Sequence, residues 1–322
     1  MMPYGRQSIS EQDIAAVGEV LRSDWLTTGP LVERFERALA EVAGADCVSV
    51  TSGTAALHVA YAACGVGPGQ DVVTSPLTFV ATAATAILLG ANVTFADVDA
   101  ESGLLDPDAA KAVMSPTTTV VAAVDYAGHP ADHDALRDAA HANGARLLVD
   151  AAHSIGSVYR GRPVGSTADI TTFSFYPTKN MTTAEGGAVA TPHPTLAAAA
   201  RGFRNHGLVR DRAAQRYPDE GGWHQEVHSF GLNYRLPDVL CALGVAQIAR
   251  LHSFGARRAR LVARYHELLA GLDGIALPPQ REHVAPHWHL YPVRILGGRR
   301  RAVYDAMRAE GIGVQVNYIP AY

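Results

Sequence analysis

Lys179 sits where an apolar run, Ile170-Thr-Thr-Phe-Ser-Phe175, breaks into the short polar loop Tyr176-Pro-Thr-Lys-Asn180. Twenty-nine residues upstream (179 − 150) another apolar run, Arg146-Leu-Leu-Val149, ends in Asp150-Ala-Ala-His153. A lysine following a buried strand loses hydration, which lowers its pKa toward useful nucleophilicity. Such an amine forms a Schiff base with an aldehyde. An aspartate at a strand end can keep a pyridine nitrogen protonated, so that the ring acts as an electron sink. Together the two residues fit pyridoxal 5′-phosphate (PLP). His153, a turn beyond Asp150, could donate to the ring hydroxyl of that cofactor.

Thr51-Ser52-Gly53-Thr54 lies between a strand-like and a helix-like run. Backbone N–H groups at a helix start, with hydroxyls beside them, make a phosphate cradle. Ser174 could add a further hydroxyl, and Phe79 could stack on the ring. Each has a plainer reading: a helix cap for Ser52 and Thr54, core packing for Phe79. Glu185-Gly-Gly-Ala-Val189 opens another apolar strand, whose glycines let backbone pass closely.

These residues need a scaffold, and the chain spells one out. Ser10 caps a helix running to about Arg22, and Pro30 starts a second that closes near Gly44. Strands are then expected near 47–50, 71–75, 93–96, 119–124, 146–149, 170–175 and 187–190. Helices fall between most of them, including one over 78–89. Strands alternating with helices imply a largely parallel sheet covered on both faces. Function in such sheets gathers at strand carboxyl ends, where Ser52, Pro76, Asp125, Asp150 and Ser174 fall. The stretch 201–222 reads as a mobile surface loop, and 238–272 as mostly helical. The rest, with strands near 289–295 and 313–318 around a helix at 300–310, reads as a smaller α+β domain. We place a large domain at 1–245 and the small one at 246–322.

Composition narrows the classes. The chain has 322 residues, 48% hydrophobic and 18% charged, with a formal net charge of −4. That balance gives no support for a nucleic-acid or anionic-membrane partner. Without a leader-like start or a bilayer-length apolar run, a cytoplasmic protein is expected. Cys47, Cys64 and Cys241 are scattered and form no C-x-x-C pair. His287-Trp-His289 has the spacing of two ligands but no third, so no metal site is expected.

In this order the segments resemble the DegT/DnrJ/StrS sugar aminotransferases, fold-type I PLP enzymes of the aspartate-aminotransferase kind. The resemblance rests on Ser23-Asp-Trp-Leu-Thr-Thr-Gly-Pro30, Thr51-Ser-Gly-Thr-Ala-Ala-Leu57, Pro76-Leu-Thr-Phe-Val-Ala-Thr82, Asp150-Ala-Ala-His153 and Phe173-Ser-Phe-Tyr-Pro-Thr-Lys-Asn180. It continues through Glu185-Gly-Gly-Ala188, Arg204-Asn-His-Gly207, Gly231-Leu-Asn-Tyr-Arg-Leu236 and Asn317-Tyr-Ile-Pro320. It implies Lys179 as Schiff-base lysine and proton shuttle, and Asp150 as pyridinium partner. Ser52, Gly53, Thr54 and Ser174 would hold the phosphate, and Phe79 the ring. Asn233 would reach the phosphate in a neighbouring subunit's site, hence a homodimer. Thr27, Tyr126, Arg235 and Tyr318 would face the nucleotide-sugar.

The Asp-x-x-His form with the Pro-Tyr-Gly-Arg-Gln-Ser start is most similar to the PseC branch, which makes UDP-4-amino-4,6-dideoxy-N-acetyl-β-L-altrosamine for pseudaminic acid. That implies glutamate as donor and a UDP-linked 4-keto-6-deoxy sugar as acceptor. The alternatives are another UDP- or dTDP-keto sugar, or a non-catalytic regulator that binds PLP or a nucleotide-sugar. Tyr176 stands where that branch often has histidine. The family also continues for several tens of residues beyond its Tyr-Ile-Pro motif, so the small domain is expected to be incomplete. A family dehydratase would carry histidine in place of Lys179. A nucleotide-binding Rossmann protein would need a G-x-G-x-x-G after its first strand.

Overall fold

The computed structural model describes residues 2–321. Its centre is a seven-stranded sheet: β1 (Asp46–Val50), β2 (Asp71–Thr74), β3 (Asn92–Phe95), β4 (Thr118–Val124), β5 (Arg146–Asp150), β6 (Ile170–Ser174) and β7 (Gly187–Thr191). The spatial order is β1-β7-β6-β5-β4-β2-β3. All pairs are parallel except those made by β7, which runs against both β1 and β6. The central strands β4 to β7 are buried almost throughout because both faces are covered. Leu147 and Val149 face one core, whereas Leu148 faces the other.

On the first face pack α2 (Pro30–Ala43), α5 (Pro107–Val113), α6 (His133–Ala142), α8 (Asp238–Ile248) and α9 (Leu251–Leu269), through Phe35, Leu39, Leu136 and Cys241 among others. On the second pack α3 (Gly53–Ala63), α4 (Ala81–Leu88) and α7 (Pro194–Arg204). Helix α1 (Glu11–Leu21) starts in a capping box between Ser10 and Asp13 and lies against α8. Helix α2 has Gly29 at its N-cap and no side-chain cap of its own. Asp238, 209 residues away, supplies one instead, accepting from the Gly29 and Leu31 N–H groups at 2.7 and 2.9 Å. Helix α10 (Arg300–Ala309) lies near the C-terminus. All three cysteines are buried.

Several expectations are corrected. Helix α4 begins at Ala81, not at 78, because the Ser75 hydroxyl accepts from the Leu77 N–H (3.0 Å) and turns the chain. Local bonds of this kind compete with helix. Of 289–295 only Arg294–Ile295 is a strand, paired with Ile275–Ala276. The His289 and Leu290 N–H groups go to the Ala127 carbonyl instead, and Pro292 has no N–H to give. Residues 313–318 form no strand. The preceding Ile312 makes one bridge, to Met2, which ties the two ends of the chain together. The stretch 201–222 is not a free loop. Its start belongs to α7, where Arg201 and Arg204 bind Asp46 and Glu36. Farther on, Leu208–Val209 pairs with Glu226–Val227, and Glu226 accepts from the Arg216 and Tyr217 N–H groups. Residue 245, the expected domain limit, falls inside α8.

No single helix among the described residues is long and apolar enough to cross a membrane. Only α8 and α9 together reach that length, and they are bent by 55°.

Candidate active site

The carboxyl ends of β1, β5 and β6 converge on a cavity of about 490 Å³. Lys179, Asp150, His153, Ser52, Gly53, Thr54, Ser174, Phe79 and Tyr318 all line it. Neighbouring parallel strands end side by side, so residues far apart in sequence meet at one rim.

At the floor lies Asp150, only 6% exposed. Its Oδ2 accepts from Thr82 Oγ1 (2.7 Å) and its Oδ1 from the Ala152 N–H (3.1 Å). Thr82 gives its one proton to the carboxylate, so Thr78 Oγ1, 2.8 Å away, must donate to Thr82. Burial pushes the Asp150 carboxyl up, and these two bonds and the Lys179 charge oppose that push. A buried carboxylate needs a cation, and within this cavity Lys179 is the charge opposite it. Burial lowers Lys179 to about 8, with Asp150 pulling the other way.

The N-terminus of α3 forms one wall. Ser52 Oγ accepts from the Ala55 N–H (3.0 Å), and Ser52 O from the Ala56 N–H. The Gly53 and Thr54 N–H groups are left without intrahelical acceptors. The wall is tight. A Cβ on Gly53 would come within 2.7 Å of Ser174 Cβ, and one on Gly187 within 2.4 Å of the Ser52 carbonyl oxygen. An anion fits this cradle because bare N–H groups and the helix dipole both favour it.

His153 behaves otherwise than expected. The Ala127 N–H donates to its Nδ1 (3.3 Å), so the neutral ring carries its proton on Nε2 and gives it to Tyr318 Oη (2.7 Å). Burial, reinforced by Lys179 and His289, holds the ring well below its usual pKa. Both nitrogens are occupied, so His153 is not free to donate to a ring hydroxyl in this arrangement. The proton of Tyr318 remains available instead. Phe79 sits in the bend before α4, 59% exposed and 6.3 Å from the Tyr318 ring.

Other expected residues lie elsewhere. Tyr126 is behind Tyr318, its hydroxyl donating to the Asn317 carbonyl (2.9 Å). Thr27 is exposed on the loop before α2, Asn233 is exposed and bridged to Asn205, and Arg235 donates to Asn205 Oδ1. None of these four lines the cavity of a single chain. Asp125 is buried beside β5, outside the cavity. In the His-Trp-His segment, His287 binds Asn180 and the Leu251 carbonyl, while His289 lines the cavity against His153 at 4.5 Å between ring centroids.

Sequence reasoning passed over Thr82, Glu185 and His289 as lining or supporting groups. Thr82 and Glu185 stood inside segments quoted for other residues. His289 was weighed only as a metal ligand. Spacing alone did not reveal that two of them face the cavity and one braces Asp150.

Residues 7–322 match the model of the DegT/DnrJ/EryC1/StrS aminotransferase family. The chain is 38% identical to the spore coat polysaccharide biosynthesis protein SpsC of Bacillus subtilis over 327 aligned positions, which cover all of this chain and 84% of that one. Among solved structures, Spr1654 of Streptococcus pneumoniae in its PMP form superposes with a TM-score of 0.93 at 29% identity, covering 100% of this chain and 86% of that one. Helicobacter pylori PseC, an aminotransferase of pseudaminic acid biosynthesis, superposes with a TM-score of 0.92 at 28% identity, covering 100% and 85%. The fold is that of the PLP-dependent aminotransferases.

Proposed function

This chain belongs to the DegT/DnrJ/EryC1/StrS aminotransferase family, and we propose that its cavity moves an amino group from glutamate to a UDP-linked 4-keto-6-deoxy sugar, with PLP as cofactor. One observation carries the reading: an amine at Lys179, a buried carboxylate at Asp150 and a bare helix N-terminus at Gly53 open into one cavity. Carboxylate, amine and anion cradle match the ring nitrogen, aldehyde and phosphate of PLP. When bound, that cofactor supplies an aldehyde to take the amino group and a ring that withdraws electrons.

The protein's own groups do the rest. Asp150 would hold a proton at the ring nitrogen. Lys179 Nζ would hold the cofactor through its aldehyde, and the same amine would serve as the base that moves a proton at the reacting carbon. A positioned base of this kind contributes about 10²–10⁴-fold. An amine with a pKa of about 8 is close to the balance such a shuttle needs. The Gly53 and Thr54 N–H groups and Ser174 would anchor the phosphate, and Phe79 and Tyr318 line the same cavity.

No arginine lines the cavity among the described residues. A donor carboxylate and a nucleotide diphosphate both call for one. We assign that charge to a second copy, through Arg235, with Asn233 reaching the phosphate beside it. The PseC-type acceptor is supported by the Asp-x-x-His sequence, PseC being one of several sugar aminotransferases of similar likeness.

The test has two parts. Borohydride reduction of the PLP-loaded protein followed by peptide mapping should mark Lys179. Glutamate with a panel of UDP- and dTDP-4-keto sugars should then give one aminated product, whose identification fixes the acceptor. Absence of label at Lys179, or of amino transfer to every sugar, would overturn the reading.

A further inference from the structure

Behind the cavity, a fully buried aspartate–histidine pair answers to no step above. Asp125 follows β4 and His133 opens α6, and both side chains are 0% exposed. Asp125 Oδ1 accepts from His133 Nε2 (2.8 Å) and from the Ala131 N–H (3.0 Å), and its Oδ2 from Ser154 Oγ (2.7 Å). Three donors on one carboxyl group are the partners of an ionised carboxylate. His133 Nδ1 lies 2.7 Å from Thr167 Oγ1. That hydroxyl is also 2.7 Å from the Val164 carbonyl, which can only accept. Thr167 has one proton and spends it there, so His133 Nδ1 must donate as well. A ring donating from both nitrogens is an imidazolium.

The pair adjoins Asp150. The Asp125 N–H donates to the Asp150 carbonyl (3.1 Å), in register with the β4–β5 pairing. Ser154, held by Asp125, is the residue after His153. The Asp125 charge is also among the influences that push the Asp150 carboxyl up. Asp150 is otherwise faced by the Thr82 hydroxyl and Lys179, and by the phenols of Tyr61 on α3 and Tyr318 from the C-terminal segment. The pair itself is faced by the Tyr159 ring, 5.0 Å from His133, and by His129.

We propose that His133 is a positioning residue: a buried imidazolium that neutralises Asp125, fixes the turn carrying Asp150 and His153, and so keeps Asp150 ionised. The second half rests on the reading of Asp150 as the partner of the cofactor's ring nitrogen. Without the imidazolium, Asp125 would be an unpaired like charge beside Asp150, which would then take up a proton at higher pH.

Two measurements test this. The first is ¹H–¹⁵N NMR of histidine-labelled full-length protein without cofactor at pH 7.5, with His133 assigned from its loss in His133→Met. Two ring N–H protons on His133 are expected, and a singly protonated ring would overturn the proposal. The second follows PLP retention against pH by absorbance. His133→Met should move the acid limb of retention upward, by about 1 pH unit. Asp125→Asn/His133→Met, which buries no charge there, should bring it back. An unmoved limb in a folded His133→Met protein, or a double variant no better than the single, would overturn the link to Asp150. A wild-type chain that never binds PLP would instead sink the functional reading, and the NMR result would still decide the state of the pair.

Discussion

Lys179 is held near a pKa of about 8 by loss of hydration, with only part of that offset by Asp150. Its amine is therefore neutral above about pH 8, whereas an exposed lysine would need about pH 10.4. Capture of PLP by the cofactor-free protein should accelerate as pH rises through 8 and then level off, which stopped-flow absorbance at several pH values can show. A rate still climbing steeply at pH 10 would contradict the buried environment. Lys179→Ala should lower amino transfer by at least about 10²–10⁴-fold and remove the borohydride-fixed cofactor. Tyr318→Phe leaves the Nε2 proton of His153 without its acceptor in a buried place. The expected loss is about 1–3 kcal/mol by urea unfolding.

The elements matter through their ends. Helix α2 begins under a carboxylate from α8, so Asp238→Ala should strip two N–H groups of their acceptor and cost about 1–3 kcal/mol of stability. The N-terminus of α3 is pressed between β6 and the start of β7, where Gly53 and Gly187 leave no space for a methyl group. Gly187→Ala meets a backbone carbonyl, which cannot swing away. We expect a stability loss of about 1–3 kcal/mol together with weaker PLP retention, measured by urea unfolding and by dialysis against pH-matched buffer. The glycine pair after Glu185 was legible in the sequence as a close backbone approach. What it approaches, the Ser52 carbonyl, was not, because β7 runs antiparallel and inserts between β6 and β1.

At the scale of the whole molecule, no arginine lines the cavity among the described residues, and large apolar side chains stand in the open. Trp25 and Leu26 are 54% and 51% exposed, and Phe230 is 93% exposed. A self-complementary dimer would cover such a surface and could bring Asn233 and Arg235 to the partner's cavity. Light scattering should give twice the chain mass. Lys179→Ala and Asn233→Ala, each inactive alone, should on mixing and reassembly recover about a quarter of wild-type activity, since half the dimers are mixed and each has one intact site. No recovery would place Asn233 outside any shared site. By itself the sequence determined the alternation of elements and the residues that crowd the strand ends, Asp150, Lys179 and the Ser52–Thr54 turn among them. Each follows from local chemistry: apolar runs set strands, and polar turns end them. Only the tertiary structure decided which of these residues share one cavity, that the ring of His153 is already spoken for by Ala127 and Tyr318, and that Asp125 pairs with His133 instead of facing the site. The cavity and the state of the His153 ring depend on strand order and on a hydrogen-bond partner, Tyr318, 165 residues away, and no local pattern encodes either.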